Sequence, residues 1–367
     1  MASDQENSPQ ALEFFAGIGL ARIGLQQAGI GVSWANDYEP AKRQMYERQF
    51  GAGHFHLGDV GKVAAASLPK NTALAWSSSP CTDLSLAGSR GGLSSGESNA
   101  FWQFIRVLTD LGVDRPGMVV LENVVGLGTS HGGDDIAAAI RAFNNLGYSV
   151  DVLMIDARRF LPHSRPRLFI VGSVSVPVCV EEGESVLRPS WLNWIYADPT
   201  LRTHRMPLPT VPDLLSTGFS ELVSSSAGAV VDWWNQERIS AFEDSLSAIQ
   251  LERMILLRQR EEVVYRTAYR RTRGGVATWE MRPDDIAGCL RTARGGSSKQ
   301  AVVELGRGRM RVRWMTPKEC AALMGASEFN LGDARVNQAL FAFGDAVAVP
   351  VVRWLAENYL RPLMTSN

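Results

Sequence analysis

Cysteine is scarce in this 367-residue chain: Cys81, Cys179, Cys289 and Cys320 are widely spaced and form no C-x-x-C pair. That spacing argues against a zinc site and a disulfide framework, so no metal is expected and a reducing interior is the natural setting. Charge of one sign is lacking too, because 37 Lys and Arg face 38 Asp and Glu and leave a net charge of -1. A global basic field is excluded, and any contact with nucleic acid must come from a local patch. No uninterrupted apolar run reaches the length of a bilayer span, and residues 1–9 are polar without an apolar h-region. The chain reads as a cytoplasmic protein with a short, loose leader. Also absent are the G-x-x-x-x-G-K-[ST] of a P-loop and a complete G-x-G-x-x-G, since residues 17–22 read Gly-Ile-Gly-Leu-Ala-Arg. A phosphate-bearing dinucleotide loses support with them.

What is present is the composition of a globular protein, 45% hydrophobic and 20% charged, in a chain long enough for a large core and two domains. Ala11 to Phe15, then Ala16-Gly17-Ile18-Gly19-Leu20, reads as strand, glycine turn and helix, the helix running from Ala21 to Ala28. Glycines at 17 and 19 let the backbone approach a ligand, and the helix start aims N–H groups at it. A second strand, Val32 to Ala35, ends at Asn36-Asp37, and Asp37 follows Gly17 by 20 residues. That is the usual distance for an acid that binds ribose hydroxyls in a doubly wound sheet; the bland alternative is a helix N-cap for Glu39 to Phe50. Asp59, in Leu57-Gly58-Asp59-Val60, suits an adenine amine or a simple turn. Two acids and a glycine turn at successive strand ends point to an adenosine-bearing cofactor, and S-adenosylmethionine, which has no phosphate, fits best.

Thr72 to Trp76 is an apolar run ended by Ser77-Ser78-Ser79-Pro80, which puts Cys81 on a loop past the carboxyl end of a buried strand. A lone cysteine is more often a small buried hydrophobe. Yet the run Gly117 to Leu121 ends in Glu122-Asn123-Val124 and sets a carboxylate at the same kind of edge. Cys81 and Glu122 can thus share one site as nucleophile and acid.

Phe15-Ala16-Gly17-Ile18-Gly19-Leu20, Asn36-Asp37, Gly58-Asp59-Val60, Pro80-Cys81, Arg90-Gly91, Glu122-Asn123-Val124, Arg165-Pro166-Arg167 and Phe343-Gly344-Asp345-Ala346-Val347 come in one order. Together they resemble the motif series of the DNA (cytosine-5) methyltransferases, over residues 12–172 and about 308–360. The resemblance implies an α/β fold: a Rossmann-like, doubly wound S-adenosylmethionine-dependent methyltransferase sheet with a smaller target-recognition domain. It divides the chain into a discontinuous catalytic domain, 1–172 and 308–367, and a recognition domain, 173–307. It implies S-adenosylmethionine held by Phe15 to Leu20, Asp37, Tyr38, Asp59, Val60, Pro80, Asp345, Ala346 and Val347, with S-adenosylhomocysteine as product. Residues 344–360, apolar at Val347, Val351, Val352, Leu355 and Tyr359, look like the family's returning helix. The chain departs from the family with His163 for the usual Gln, Ser79 for Pro and Asp345 for Asn.

The chemistry implied is addition of the Cys81 thiolate to C6 of cytosine, with Glu122 protonating N3, so that C5 becomes nucleophilic. Arg165 is expected to bind the cytosine O2 and Arg167 to be mainly structural. The base that removes the C5 proton is unassigned. The target must first leave the stack, and Ser85, Arg90 and the glycine-rich Gly88 to Gly96 loop are candidates for a segment closing on DNA.

Residues 173–250 hold four Arg or Lys against ten Asp or Glu, whereas 251–313 hold fifteen against seven. This is the local basic patch. Leu251 to Arg258 reads as an amphipathic helix, but the turn from Tyr265 to Gly275 (Arg266, Arg270, Arg271, Arg273) and the loop with Arg291 and Arg294 suit phosphates and guanine edges. Trp233, Trp234 and Trp279 read as core. Implied partners are double-stranded DNA and, as companions, a cognate restriction endonuclease or defence-system proteins; the enzyme is expected to be a monomer, bacterial or phage-encoded.

The nearest alternative is an RNA (tRNA) cytosine-5 methyltransferase on the same scaffold, whose Cys-Phe-Thr signature is absent. A non-catalytic DNA-binding module predicts loss of Cys81, Glu122 or Arg165, and all three are present. A thiol acyl-transfer enzyme needs a base, and neither His54 nor His56 has a recognisable partner motif.

Overall fold

The structure, a computed structural model, describes residues 8–80, 100–176, 185–225, 231–273, 275–291 and 299–365. Cys81, Ser85, Arg90, Cys179 and Arg294 lie outside them. Two compact units divide the chain: Met1–Asp156 with Pro166–Thr210 and Val351–Asn367, and Ala157–Arg165 with Val211–Pro350.

The first unit is built on seven strands: β1 (Gln10–Phe14), β2 (Gly31–Asp37), β3 (Phe55–Leu57), β4 (Leu74–Ser77), β5 (Met118–Val124), β6 (Ser149–Asp156) and β7 (Pro166–Ser173). Their order is β3-β2-β1-β4-β5-β7-β6. β1 to β5 pair in parallel, and β7 inserts antiparallel between β5 and β6. The inner strands are continuous apolar runs because helices must cover a parallel sheet on both faces. Leu12, Phe14, Val119 and Leu121 from the strands are buried with Phe104, Val107, Ile140 and Phe143 from the helices Ala100–Asp110 and Asp134–Asn145. The chain runs outward in opposite directions from the adjacent β1 and β4, so the switch point lies between them. Ligands of open α/β sheets bind beyond the strand ends there.

The boundary expected at 172/173 is not where the units divide, because residues 185–206 fasten onto β6. Arg188 donates to Asp151 at 2.6 and 2.9 Å, Tyr196 to Asp151 at 2.8 Å, and the His204 backbone N–H to the Val150 carbonyl at 3.0 Å. Nor does the break fall at 308, since residues 308–350 belong to the second unit.

The second unit holds an antiparallel sheet of β8 (Val264–Arg273), β9 (Val276–Met281), β10 (Ala301–Gly306) and β11 (Arg309–Trp314), ordered β11-β10-β8-β9. The Arg-rich stretch expected as a turn is thus largely strand β8, in keeping with its alternating Tyr and Thr residues. Ala268, Ala301, Val303 and Val312 form the apolar face with Trp234, Phe242 and Met254. Trp279 packs there as expected, its ring centroid 5.4 Å from Trp234. Trp233 does not: it lies under the Arg311 guanidinium, 4.1 Å from its centroid.

The helical stretch Val336–Met364 has the length and apolarity of a membrane span, yet 61% of its most apolar window is buried. The expected returning helix begins earlier, at Val336, and breaks at Ala346, where φ -71° and ψ 161° are extended backbone. It resumes at Val349.

Candidate active site

Among the described residues, Phe15, Asp37 and Pro80 lie at or just past the carboxyl ends of β1, β2 and β4, and Glu122 lies near the carboxyl end of β5. After β1 the chain turns through Phe15 (φ 57°), Gly17 (φ 58°) and Gly19 (φ 82°), three left-handed residues in five. Only glycine takes such angles without strain, so Phe15 marks a backbone held against its preference. A Cβ on Gly19 would stand 2.4 Å from the Phe50 ring, whereas one on Gly17 would meet nothing within 4 Å. Gly19 is a packing requirement, and Gly17 opens the turn to a ligand. Ala16, Ile18 and Leu20 are buried beneath it.

Asp37, at the end of β2, accepts the Gly17 N–H on Oδ2 at 3.0 Å and the Glu39 N–H on Oδ1 at 3.0 Å. Burial raises its pKa above the ordinary carboxylate range, opposed by Lys42 and these two N–H groups. Tyr38 is exposed beside it. Asp59 caps the short turn Val60–Lys62, accepting the Gly61 N–H at 2.8 Å. Asn36 holds the approach to that turn through the carbonyls of His56 (2.9 Å) and Gly58 (2.8 Å).

Past β4, the Ser79 carbonyl accepts the Asn123 side-chain amide at 3.0 Å, and Pro80 follows, exposed. The backbone entering Cys81 is therefore tied to the residue next to Glu122. Glu122 is buried, and its Oε1 lies 3.2 Å from Arg167 Nε. The register explains the meeting: β5 and β7 pair Glu122 with Phe169 and Val124 with Arg167, so Glu122 and Arg167 are diagonal neighbours on one face.

Within the second unit, Arg165 is 2% exposed. One terminal nitrogen donates to the Leu290 carbonyl (2.7 Å), the other to the carbonyls of Gly344 (2.9 Å) and Ala346 (2.6 Å). Arg165 thus braces backbone, and Arg167 is the arginine beside Glu122. His163, fully buried, meets the Leu323 carbonyl through Nδ1 at 2.9 Å and accepts the Leu290 N–H on Nε2 at 3.1 Å. This fixes the neutral tautomer with the proton on Nδ1, one donor and one acceptor, as a glutamine side chain offers. Asp345, Ala346 and Val347 lie in this unit, Asp345 exposed and Val347 buried.

Arg270 and Arg271 point to opposite faces of β8, since successive strand residues alternate. Arg270 pairs across to Trp279 on the apolar face, while Arg271 is bound to Glu280 at 3.2 Å. Arg291 is exposed. Of the described cysteines, burial pushes the Cys320 thiol well up, and Cys289 takes an N–H of Arg165 at 3.4 Å.

The sequence did not single out Arg106, whose guanidinium reaches three carbonyls of the Asp59 turn. Its signal was faint: a Gln three residues before and an Asp four after, on one helix face.

The doubly wound sheet, with a glycine turn after β1, acids at two further strand ends and a buried Glu–Arg pair at another, has the fold of the S-adenosylmethionine-dependent methyltransferases. The sequence pattern of the C-5 cytosine-specific DNA methylase family matches residues 10–361. The chain belongs to that family. It is 30% identical over 169 residues to the orphan methyltransferase M.SPRI of Bacillus phage SPR, covering 44% of this chain and 37% of that protein. It is 32% identical over 162 residues to the Type II methyltransferase M.DsaV of Dactylococcopsis salina, covering 44% of each. The match thus spans less than half the length of these two relatives. Among solved structures, the S. pombe Dnmt2 methyltransferase superposes with a TM-score of 0.56 at 17% identity, over 97% of this chain and 99% of that one. A putative DNA modification methyltransferase encoded within an E. coli prophage does so with a TM-score of 0.54 at 14% identity, over 95% and 98%. These likenesses are of fold.

Proposed function

We propose that the protein methylates C5 of a cytosine turned out of double-stranded DNA, with S-adenosylmethionine as methyl donor. The observation that carries this reading is the buried Glu122–Arg167 pair, on the strand whose Asn123 ties down the backbone entering Cys81. The first unit suits the donor: Gly17 leaves open space over the turn, Asp37 and Asp59 stand at the next two strand ends, and Tyr38 is exposed and able to cover a base. Phe15 to Leu20, Asp37, Tyr38, Asp59, Val60 and Pro80 hold it.

Cytosine C5 is too weak a nucleophile to take a methyl group directly. The Cys81 thiolate forms a bond to C6 while Glu122 gives a proton to N3, and the ring electrons collect at C5. Arg167 orients Glu122 and supplies N–H donors for the cytosine O2. Bound S-adenosylmethionine supplies the electrophilic methyl group and is left as S-adenosylhomocysteine. Loss of the C5 proton to a base, expulsion of the thiolate and return of the N3 proton to Glu122 restore the ring. The arginine-rich second unit contributes the DNA-binding surface through Arg270, Arg273, Arg291 and Arg294, together with Ser85 and Arg90, which follow Cys81 in the sequence. Arg271 contributes less charge, because Glu280 offsets it.

Bisulfite sequencing of DNA from cells expressing the protein, beside cells expressing Cys81→Ser, tests this. Methylation at one short motif in the first sample alone supports activity and nucleophile together. Unmethylated DNA in both, with methylated tRNA, replaces DNA by RNA as the substrate.

A further inference from the structure

The short turn that carries Asp59 has two backbone hydrogen bonds of its own, from the Lys62 N–H to the Asp59 carbonyl at 2.9 Å and from the Val63 N–H to the Val60 carbonyl at 3.1 Å. Two side chains from elsewhere reinforce it. Asn36 takes the carbonyls of His56 and Gly58 at 2.9 and 2.8 Å. Arg106, on the helix Ala100–Asp110, takes the next three: its Nη2 lies 3.3 Å from the Val60 oxygen and 3.2 Å from those of Gly61 and Val63. The guanidinium is itself held in plane, because Nη1 donates to Asp110 at 2.7 Å and Nε to Gln103 at 3.1 Å. Three carbonyls of this turn face one guanidinium nitrogen, and within the turn the Gly61 N–H donates to Asp59 Oδ1 at 2.8 Å. A lysine has no planar fork to be gripped by Gln103 and Asp110 while its head faces three oxygens.

From this we infer that Arg106 is a positioning residue for the donor's adenine: it shapes the Val60–Val63 backbone so that the second oxygen of Asp59 is presented to the exocyclic amine. The inference rests on the reading of the first unit as an S-adenosylmethionine site. Arg106 itself touches neither donor nor DNA, so its effect is confined to donor affinity. Without it the turn relaxes, Asp59 loses its fixed direction, and binding weakens while the chemical step is preserved.

The experiment measures binding of S-adenosylhomocysteine, and of its analogue with hydrogen in place of the 6-amino group, to the full chain by titration calorimetry. Wild type, Arg106→Ala and Arg106→Lys are compared, with thermal melting and duplex affinity alongside. Arg106→Ala is expected to weaken S-adenosylhomocysteine about tenfold, the loss of one or two charged hydrogen bonds. The deamino analogue should bind wild type and Arg106→Ala almost equally, because it has no 6-amino group to donate to Asp59 in either protein. Arg106→Lys should fall between, and in turnover KM for the donor should rise while kcat and KM for DNA hold. Equal weakening of both ligands, or no weakening of either, overturns the inference and leaves Arg106 a fold-stabilising residue. If Arg106→Ala does not fold, Arg106→Lys and Asp110→Asn decide by the same comparison. Failure of wild type to bind S-adenosylhomocysteine at all overturns the cofactor reading, and this inference with it.

Discussion

Arg167 Nε lies 3.2 Å from Glu122 Oε1, although 45 residues separate the two in the chain and Arg165 stands just two residues from Arg167. Antiparallel pairing of β5 with β7 makes the choice, because it sets Arg167 on the Glu122 face, while Arg165 precedes the strand and donates to three carbonyls of its own unit. The two arginines should therefore fail differently. Arg167→Ala is expected to lower the single-turnover methylation rate roughly a hundredfold or more with little change in melting temperature. Arg165→Ala should cost about 2–4 kcal/mol of stability, since three carbonyls lose a buried donor. Rapid-quench kinetics and urea unfolding on both variants separate these outcomes.

Asp37 spends both oxygens on backbone N–H groups, those of Gly17 and Glu39. Asp37→Ala removes the strut under the glycine turn and the acid at the end of β2 together. S-adenosylhomocysteine affinity should drop by at least about tenfold, with Asp37→Asn intermediate because it keeps one acceptor oxygen. Unchanged affinity in Asp37→Ala would remove this strand end from the donor site.

Glu13, on β1, is fully buried beside Arg22 and Tyr46. Burial drives its carboxyl from the ordinary 4.5 up to about 8, with the Arg22 charge and backbone N–H only partly opposing. The folded state keeps a proton there that the unfolded chain sheds, so this group's stabilising effect is full below 4.5 and is lost as pH rises through about 8. Glu13→Gln keeps a neutral side chain at all pH and should flatten the fall in stability across that window, by a few kcal/mol at most. Urea unfolding of both proteins at several pH values across the window measures the difference; parallel curves would show that Glu13 stays ionised in the fold.

Asp151 on β6 accepts from Arg188 (2.6 and 2.9 Å), Tyr196 (2.8 Å), Tyr359 (3.1 Å) and the Met206 N–H (3.1 Å). Tyr359, on the π-helical turn Ala356–Leu360, also meets His204 Nε2 at 2.8 Å. Asp151→Ala would leave the Arg188 charge buried and unopposed, a cost of about 3–5 kcal/mol. The melting temperature should fall sharply, while the fraction still folded at low temperature keeps its rate of methyl transfer. Loss of rate in fully folded protein would instead give this cluster a part in the reaction.

The sequence by itself determined the parallel half of the sheet and where its strands end. Buried parallel strands must be apolar throughout, so the first polar or glycine residue after each run marks the ligand-facing edge. The strands β1, β2, β4 and β5 were legible with Gly17, Asp37 and Glu122 at those edges, and the expected 20-residue spacing from Gly17 to Asp37 became a 3.0 Å hydrogen bond. The ordered motifs over residues 12–172 and about 308–360 likewise carried the family, whose pattern matches residues 10–361. Only the tertiary structure decided which arginine accompanies Glu122, because that depends on the register of an antiparallel strand added after the parallel ones. It alone decided that Arg270 and Arg271 part to opposite faces of β8, where a run of arginines reads as one patch in linear order. It alone joined residues 185–206 to the first unit, through a carboxylate on β6 whose partners Arg188 and Tyr359 lie 37 and 208 residues away. Local composition encodes burial and turns, whereas these contacts depend on which distant side chains the finished sheet brings within hydrogen-bond reach.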